Sequence, residues 1–287
     1  MRSALVFGGS GQIGRPLLDR LGRAGWQVEA LSREPGPAVP GVHWLRGDLD
    51  HAGALPQQVD AIFSCGPLDH FARWYAQSQV ACPRVIAFGS TSVEVKQDSA
   101  DPEERDVAAR LREGERVVLE AAGTRAAAAT LLRPTLIYGA AGDRTLTRIA
   151  TLAQRWHRFV LPRNATGLRQ PVHADDLAQA AFDVLDAPAT HARAYALPGG
   201  ETLPYRDMVA RVLLALQPPV SLHVVPAPVF RTLLSLAHAA GIARDFGDAA
   251  VARMRQDLVF DIEPAQHDFG YAPRPFQPTA GMFDTAR

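Results

Sequence analysis

The sequence predicts an α/β fold, a doubly wound parallel sheet followed by a smaller, mostly helical C-terminal lobe. Two observations support this prediction. Over residues 1–134, short apolar runs alternate with stretches of helical periodicity, which is typical of a parallel sheet with helices on both faces. Because crossovers between parallel strands are right-handed, this alternation winds the chain onto both sides of the sheet. After about Pro134 the alternation stops, and connections rich in proline and glycine separate the helical stretches.

Six strands are predicted, each a short apolar run. They cover Ser3–Phe7, Val28–Leu31, Val42–Leu45, Ala61–Cys65, Arg84–Phe88 and Ala127–Leu132. Apolar residues at helical spacing predict the helices. These cover Ile13–Leu21, Asp69–Gln79, Glu103–Ala122, Thr145–Trp156, Asp175–Asp186, Tyr205–Leu216 and Val229–Ile242. The tail from Asp261 is rich in Pro and Phe and shows little periodicity.

The composition is that of an ordinary globular protein. Of 287 residues, 47% are apolar and 21% charged, which excludes disordered and collagen-like chains. Thirty basic and thirty acidic residues give a formal net charge of zero, so the chain as a whole lacks the positive charge that attracts nucleic acid or anionic lipid. The two cysteines cannot form a disulfide framework, and the nine histidines lack the spacing of a metal site. We therefore expect a cytoplasmic protein with no metal, no nucleic-acid partner and no transmembrane segment, with a homodimer as an open possibility.

A glycine-rich turn between the first strand and the first helix is the strongest motif. Gly8, Gly11 and Gly14 permit a tight turn, close approach of backbone amides to a pyrophosphate, and packing of the helix on the sheet. The N-terminus of the helix adds partial positive charge. Strand, turn and helix together predict a dinucleotide site of the Rossmann type. The residues expected to hold its phosphates are Gly8, Ser10, Gly11, Gln12, Ile13 and Gly14.

The end of the second strand predicts which dinucleotide binds. An acid there would bind the 2′-hydroxyl of NAD, but this chain has Ser32 and Arg33, which favour the 2′-phosphate of NADP(H) over NAD(H). After the third strand, Asp48 and Leu49 would suit the adenine. After the fourth, the segment Cys65-Gly66-Pro67 would suit the path of the ribose.

Motifs spread over nearly the whole chain resemble an atypical or extended short-chain dehydrogenase/reductase of the epimerase/dehydratase type. They are Gly8–Gly14, Phe88–Ser92, Leu132–Gly139, Gln170–Asp176 and Gly199–Arg206. The resemblance implies a catalytic role for Ser90 and a place for Ser90 and Pro134 beside the nicotinamide. It also implies a dinucleotide-binding core over residues 1–134. Residues 135–287 would complete the sheet and form the substrate lobe, with a small-molecule substrate or ligand between the lobes.

The chain departs from this family at its acid–base pair. Relatives that oxidise and reduce sugars carry a Tyr-x-x-x-Lys pair, in which the lysine lowers the pKa of the tyrosine. No tyrosine lies between Tyr75 and Tyr138, and Lys96 is the single lysine of the chain. Aligned on Glu115, the two positions fall on Val107 and Leu111, which cannot transfer protons.

Three interpretations follow from this departure. In the first, the protein is an oxidoreductase or epimerase acting on a carbonyl or sugar-nucleotide substrate with another proton donor. The candidates for that donor are Ser90, Thr91, Ser92, Tyr138 and His173. In the second, the protein binds NADP(H) without turnover, as a sensor or scaffold subunit. In the third, it is a ligand-binding module in which the cofactor is structural.

Overall fold

The computed structural model describes residues 1–34, 36–140, 145–239, 241 and 248–283 of the protein. The strands are β1 Ser3–Phe7, β2 Gln27–Ser32, β3 Val42–Arg46, β4 Ala61–Ser64, β5 Arg84–Phe88, β6 Ala128–Pro134, β7 Ile137–Tyr138, β8 Arg158–Pro162, β9 Leu168–Arg169, β10 Val172–His173, β11 Arg193–Leu197, β12 Leu203–Pro204 and β13 Ser221–Val225. The helices are α1 Gly14–Arg23, α2 Leu68–Gln77, α3 Ser92–Val95, α4 Pro102–Thr124, α5 Leu146–Trp156, α6 Ala174–Asp183, α7 Tyr205–Ala215, α8 Ala227–Ala239, α9 Asp248–Arg253 and α10 Glu263–Phe269.

The described chain divides into two compact units. The first comprises Met1–Thr135, His173–Pro198 and Asp261–Pro273. The second comprises the described residues of Leu136–Val172, Gly199–Phe260 and the segment from Arg274 onward. The first unit is therefore assembled from three separate stretches of sequence.

A seven-stranded sheet forms the first unit, in the order β11-β6-β5-β4-β1-β2-β3, and every recorded pairing of neighbours is parallel. This confirms the predicted doubly wound sheet. All six predicted strands are present, with ends within two residues of those expected. The seventh, β11, comes from the later part of the chain. The chain runs outward from β1 to β3 and then returns to β4 on the other side of β1, so the strand order reverses between β1 and β4.

Helices cover both faces of this sheet. On one face, α2 and α4 pack against each other and over a core that includes Leu5, Phe7 and Leu31. On the other face lie α1 and α6, which also pack together. Because successive side chains of a strand point to opposite faces, buried residues on both faces produce nearly continuous apolar strands such as β4 and β5. That continuity is what made the strands recognisable in the sequence.

The second unit has its own apolar core around Tyr138, Ile149, Met208 and Val212. Helices α5 and α7 contribute to it, and β8 pairs with β13 in parallel. The three helices predicted in this unit are present as α5, α7 and α8, although the proposed end of the third at Ile242 lies outside the described residues. The other helix predicted after Pro134, Asp175–Asp186, corresponds to α6 of the first unit. In the described part of the chain, no helix is long and apolar enough to cross a membrane.

Candidate functional site

The glycine-rich turn lies at the carboxyl end of β1, where the strand order reverses. Gly8 has a positive φ of 75°, and its carbonyl accepts a hydrogen bond of 3.0 Å from the Gly11 amide. A Cβ on Gly14 would lie 2.2 Å from the Gly8 carbonyl oxygen and 2.7 Å from the Gly9 Cα. Only glycine at position 14 therefore lets the start of α1 lie this close to the turn.

A chain of hydroxyl groups joins this turn to the end of β2. The Ser32 hydroxyl donates to the Glu34 carbonyl at 2.6 Å, so the Ser10 hydroxyl donates to Ser32 across 2.9 Å. Ser32 is buried, with 7% of its surface exposed. Ser32 thus positions the turn and the segment after β2, because its one hydroxyl proton is already used inside the protein.

The charge around the turn favours an anion. Helix α1 carries no acidic residue in its first turn, so its N-terminal partial positive charge is not neutralised there. The Arg15 side chain donates through Nε to the Ser10 carbonyl at 2.9 Å, which brings a guanidinium group beside the loop. The Arg33 side chain is exposed at the end of β2.

The residues of the turn fit a dinucleotide. The Gln12 Oε1 atom is buried and accepts no hydrogen bond from the described residues, although a buried amide oxygen ordinarily has a donor. A Cβ on Gly8 would lie 3.0 Å from the Cys65 carbonyl carbon, and one on Gly11 would lie 3.1 Å from the Gly8 oxygen. Glycine at these two positions therefore lets the turn fold tightly on itself and against the end of β4, and the Gln12 oxygen, which has no donor among the described residues, could accept from a ribose hydroxyl.

The other residues predicted at the adenine end lie after β3 and β4. The Asp48 carboxylate accepts hydrogen bonds from the amides of Asp50 and His51, and these bonds lower its pKa. Leu49 packs against the core beneath α2. The Cys65 amide donates to the Phe7 carbonyl at 2.9 Å, which holds the β4 end against the β1 end.

Cys65 is not a nucleophile in this fold. Burial raises the pKa of its thiol to about 12, so the thiol stays protonated near neutral pH. Gly66 follows it, and Pro67 is the N-cap residue of α2, with its carbonyl accepting from the Phe71 amide.

Ser90 and Pro134, predicted beside the nicotinamide, lie at the ends of the adjacent strands β5 and β6. Both the amide and the hydroxyl of Thr91 donate to the Pro134 carbonyl, each at 3.2 Å. The Ser90 hydroxyl donates to the Ser92 hydroxyl and accepts from the Ser92 amide, each at 3.1 Å. The structure thus brings the Ser90 and Pro134 segments together and places two linked hydroxyl groups there.

A nearly buried ion pair underlies this end of the sheet. Arg133, next to Pro134, donates to both carboxylate oxygens of Glu115 on α4, at 2.7 and 2.6 Å. A third bond of 2.9 Å runs from Arg133 to Glu94 on α3. The hydrogen bonds that Arg133 donates to Glu115 raise the pKa of Arg133. Arg133 therefore ties β6 to α3 and α4, the helices that follow Ser90 in the chain.

The face of α4 that carries Val107 and Leu111 is partly buried, and Leu111 packs against the core. One turn earlier on this face lies Glu104, which is 9% exposed. Its carboxylate accepts from Ser99 at 2.7 Å and lies 3.6 Å from the ammonium group of Lys96. The single lysine is thus paired with a carboxylate and does not replace the missing lysine of a Tyr-x-x-x-Lys pair on α4.

Other candidate donors are occupied by structural contacts. The His173 ring accepts from the Asp175 amide at 3.1 Å and is the N-cap of α6. Tyr138 is fully buried in the core of the second unit, with its ring edge-on to Phe276.

Arg169 is buried, although an arginine is ordinarily a surface residue. Its guanidinium group donates to the carbonyls of Leu168 and Gln256 and lies over the Tyr205 ring. The sequence carried no signal for this role, because the carbonyl partners at Gln256 are distant in the chain.

No family model matches the chain. A curated relative, the 2-alkyl-3-oxoalkanoate reductase of Stenotrophomonas maltophilia (strain K279a), is 28% identical over 315 aligned positions. That alignment covers 94% of this chain and 94% of the reductase.

Solved structures share the fold. The epimerase Mth375 of Methanothermobacter thermautotrophicus superposes with a TM-score of 0.72 at 15% identity, over 98% of this chain and 90% of that one. MoeE5 in complex with UDP-glucuronic acid and NAD gives a TM-score of 0.70 at 18% identity, over 96% and 94% of the two chains. These comparisons confirm the resemblance indicated by the motifs, and the chain has the Rossmann fold of epimerase- and reductase-type enzymes.

Proposed function

We propose that the protein is an NADP(H)-dependent oxidoreductase that reduces the carbonyl group of a small molecule. The observation that carries this proposal is the geometry at the carboxyl ends of β1 and β2. There, the glycine turn and the N-terminus of α1, which has no acid in its first turn, suit a pyrophosphate. The buried Gln12 oxygen, which has no donor among the described residues, suits a ribose hydroxyl.

The curated relative supports reduction as the reaction and a 3-oxo acid as the substrate class. Its name specifies a 2-alkyl-3-oxoalkanoate, and its similarity extends over 94% of both chains. MoeE5, whose structure contains UDP-glucuronic acid, is 18% identical to this chain, so it supports the fold and not the substrate.

In this proposal each part of the site has one task. The turn at Gly8–Gly14 binds the pyrophosphate, and Arg33 pairs with a 2′-phosphate. When bound, the reduced nicotinamide supplies a hydride to the carbonyl carbon. A proton must then reach the carbonyl oxygen to complete the alcohol. The Ser90 hydroxyl already donates to Ser92, so the Ser92 hydroxyl is the group that gives its proton to that oxygen, and Ser90 passes a proton to Ser92 in turn.

The proton donor distinguishes this proposal from a second candidate function. Val107 and Leu111 leave α4 without an acid–base pair, and a serine hydroxyl is a weak acid near neutral pH. This observation favours a protein that binds NADP(H) without turnover, as a sensor or scaffold subunit. The two candidates share the dinucleotide site and differ in whether a carbonyl compound is consumed.

A titration followed by a turnover assay tests both. Nicotinamide fluorescence is recorded while NADPH or NADH is added, and then 2-alkyl-3-oxo acids and simple ketones are supplied to the complex. We expect the fluorescence of bound NADPH to be lost when a carbonyl compound is added, and this loss to be slower in Ser90→Ala. Tight binding of NADPH with no oxidation would favour the sensor or scaffold. Absence of binding by either dinucleotide would refute both.

The cofactor preference has its own test. Arg33→Asp places an acid where a 2′-phosphate would lie, so we expect it to weaken NADPH binding at least about tenfold while NADH binding changes little. Equal effects on the two dinucleotides would refute the assignment of Arg33. Arg23→Ala, at the opposite end of α1, is the control for loss of one exposed positive charge.

A further inference from the structure

We propose that Arg46, at the end of β3, is a second specificity-determining arginine of the 2′-phosphate site. This inference rests on the proposed function, because it assigns a further residue to the same cofactor site. Arg46 belongs to a different strand from Ser32 and lies thirteen positions beyond Arg33, so no local motif joins it to the other two residues.

The register of the sheet places Arg46 beside Ser32. In the parallel pair of β2 and β3, Ser32 is the partner of Arg46, and the Gly47 amide donates to the Ser32 carbonyl at 3.0 Å. Neighbouring strands lie about 4.8 Å apart, so the Cα atoms of the two residues are close neighbours. The residue that holds the Ser10 hydroxyl is therefore directly flanked by an arginine.

The side chain of Arg46 lies on the same face of the sheet as the glycine-rich turn. One pair earlier, Leu31 and Leu45 both pack into the core beneath α2 and α4. On the opposite face, a Cβ on Gly9 would lie 3.2 Å from the Ala30 Cβ and 3.3 Å from the Trp44 ring. Side chains alternate along a strand, so Arg46 shares the face of Trp44, which is the face of the turn.

The charges of this corner favour a phosphate. Arg33 and Arg46 are both exposed, and neither guanidinium group has a hydrogen bond or ion pair with the described residues. Two acids lie near them. Asp48 is engaged by the amides of Asp50 and His51, and Glu34 is exposed with its main-chain carbonyl bound to Ser32.

Two exposed guanidinium groups without a carboxylate partner among the described residues are suited to bind a phosphomonoester. Such a group carries close to two negative charges near neutral pH, and each arginine can donate a pair of parallel N–H bonds to its oxygens. A 2′-hydroxyl carries no such charge. Arg46 therefore contributes to the choice of cofactor and has little effect on the rest of the dinucleotide.

Calorimetric titration with 2′,5′-ADP and 5′-ADP tests this without any need for turnover. The two probes differ only in the 2′-phosphate. In Arg46→Ala we expect the Kd of 2′,5′-ADP to rise about tenfold or more, and that of 5′-ADP to change by less than about twofold. The double variant Arg33→Ala/Arg46→Ala should bind the two nucleotides equally. Arg23→Ala is again the charge-matched control, and thermal denaturation verifies that every variant is folded.

The outcomes separate this inference from the proposed function. Binding of neither nucleotide by the wild type would overturn the proposed function and the inference with it. Equal wild-type affinity for the two probes would overturn the 2′-phosphate site alone. An unchanged preference for 2′,5′-ADP in Arg46→Ala would overturn the role of Arg46 while leaving Arg33 in place.

Discussion

The pair of Arg133 and Glu115 allows a quantitative prediction. Arg133→Met keeps much of the aliphatic length of the side chain but removes both hydrogen bonds to Glu115. The side chain of Glu115 is only 8% exposed, so its carboxylate would be left with a buried charge and without its guanidinium partner. The side chain of Arg133 itself is 22% exposed, which allows some water to reach the gap.

The expected loss of stability follows from that burial. Removing one partner of a buried ion pair costs about 3–5 kcal/mol, and the partial exposure of Arg133 places this variant near the lower end, about 3 kcal/mol. For a chain of this size, 1 kcal/mol corresponds to about 2–4 °C, so the Tm should fall by roughly 6–12 °C. Replacing Glu115 by Gln in the same variant removes the buried charge and should restore more than half of the loss.

Thermal denaturation followed by far-ultraviolet circular dichroism measures the effect. The matched control is Arg116→Ala on α4, the helix that carries Glu115. It breaks exposed ion pairs with Glu113 and Glu120 and should leave the Tm close to that of the wild type. An Arg133→Met variant as stable as this control would refute the reasoning. So would a double variant with Glu115→Gln that is no more stable than Arg133→Met alone.

Three further predictions concern the turn, the thiols and one tyrosine. Gly14→Ala drives a Cβ to 2.2 Å from the Gly8 oxygen, so titration should show nucleotide binding weakened at least about tenfold and the Tm lowered; unchanged affinity would contradict this. Both cysteines are partly exposed, but burial raises the pKa of Cys65 to about 12 and of Cys82 to about 11, so a thiol reagent near pH 8 should label both far more slowly in the folded protein than in urea. Burial, together with a carboxylate that accepts its hydroxyl hydrogen bond, raises the pKa of Tyr195 to about 12, whereas an unfolded tyrosine ionises near 10. The stability from this tyrosine is present below about pH 10 and is lost as the pH rises towards 12, so urea midpoints should fall over that range, and less so in Tyr195→Phe.

The sequence predicted the first six strands because buried parallel strands are nearly continuous apolar runs. It did not single out β11, since Arg193–Leu197 has two exposed residues and three alanine or leucine positions, a pattern without clear periodicity. Helix α10 was missed for a related reason, because only Ala265 among its seven residues is buried. In both cases tertiary contacts select a conformation that local pattern does not specify.

Some features of the candidate site could likewise be predicted from the sequence, and others could not. The glycines of the turn were recognisable because they are neighbours in sequence and only glycine satisfies their backbone geometry. The hydroxyl chain from Ser10 through Ser32, by contrast, joins residues twenty-two positions apart, and the pair of Arg133 and Glu115 joins residues eighteen apart. No periodicity indicates which of many polar residues will meet across such distances.

By itself, the sequence determined the class of fold, the position of the glycine turn and the absence of a Tyr-x-x-x-Lys pair, all of which are properties of residues close together in the chain. The tertiary structure alone decided the neighbours of each charge. It buried Arg169 against main-chain carbonyls, paired Lys96 with Glu104 and set Arg46 beside Ser32. The physical reason is that a charge takes its role from burial and from its partners, and both are decided by strand register and helix packing over long separations in sequence.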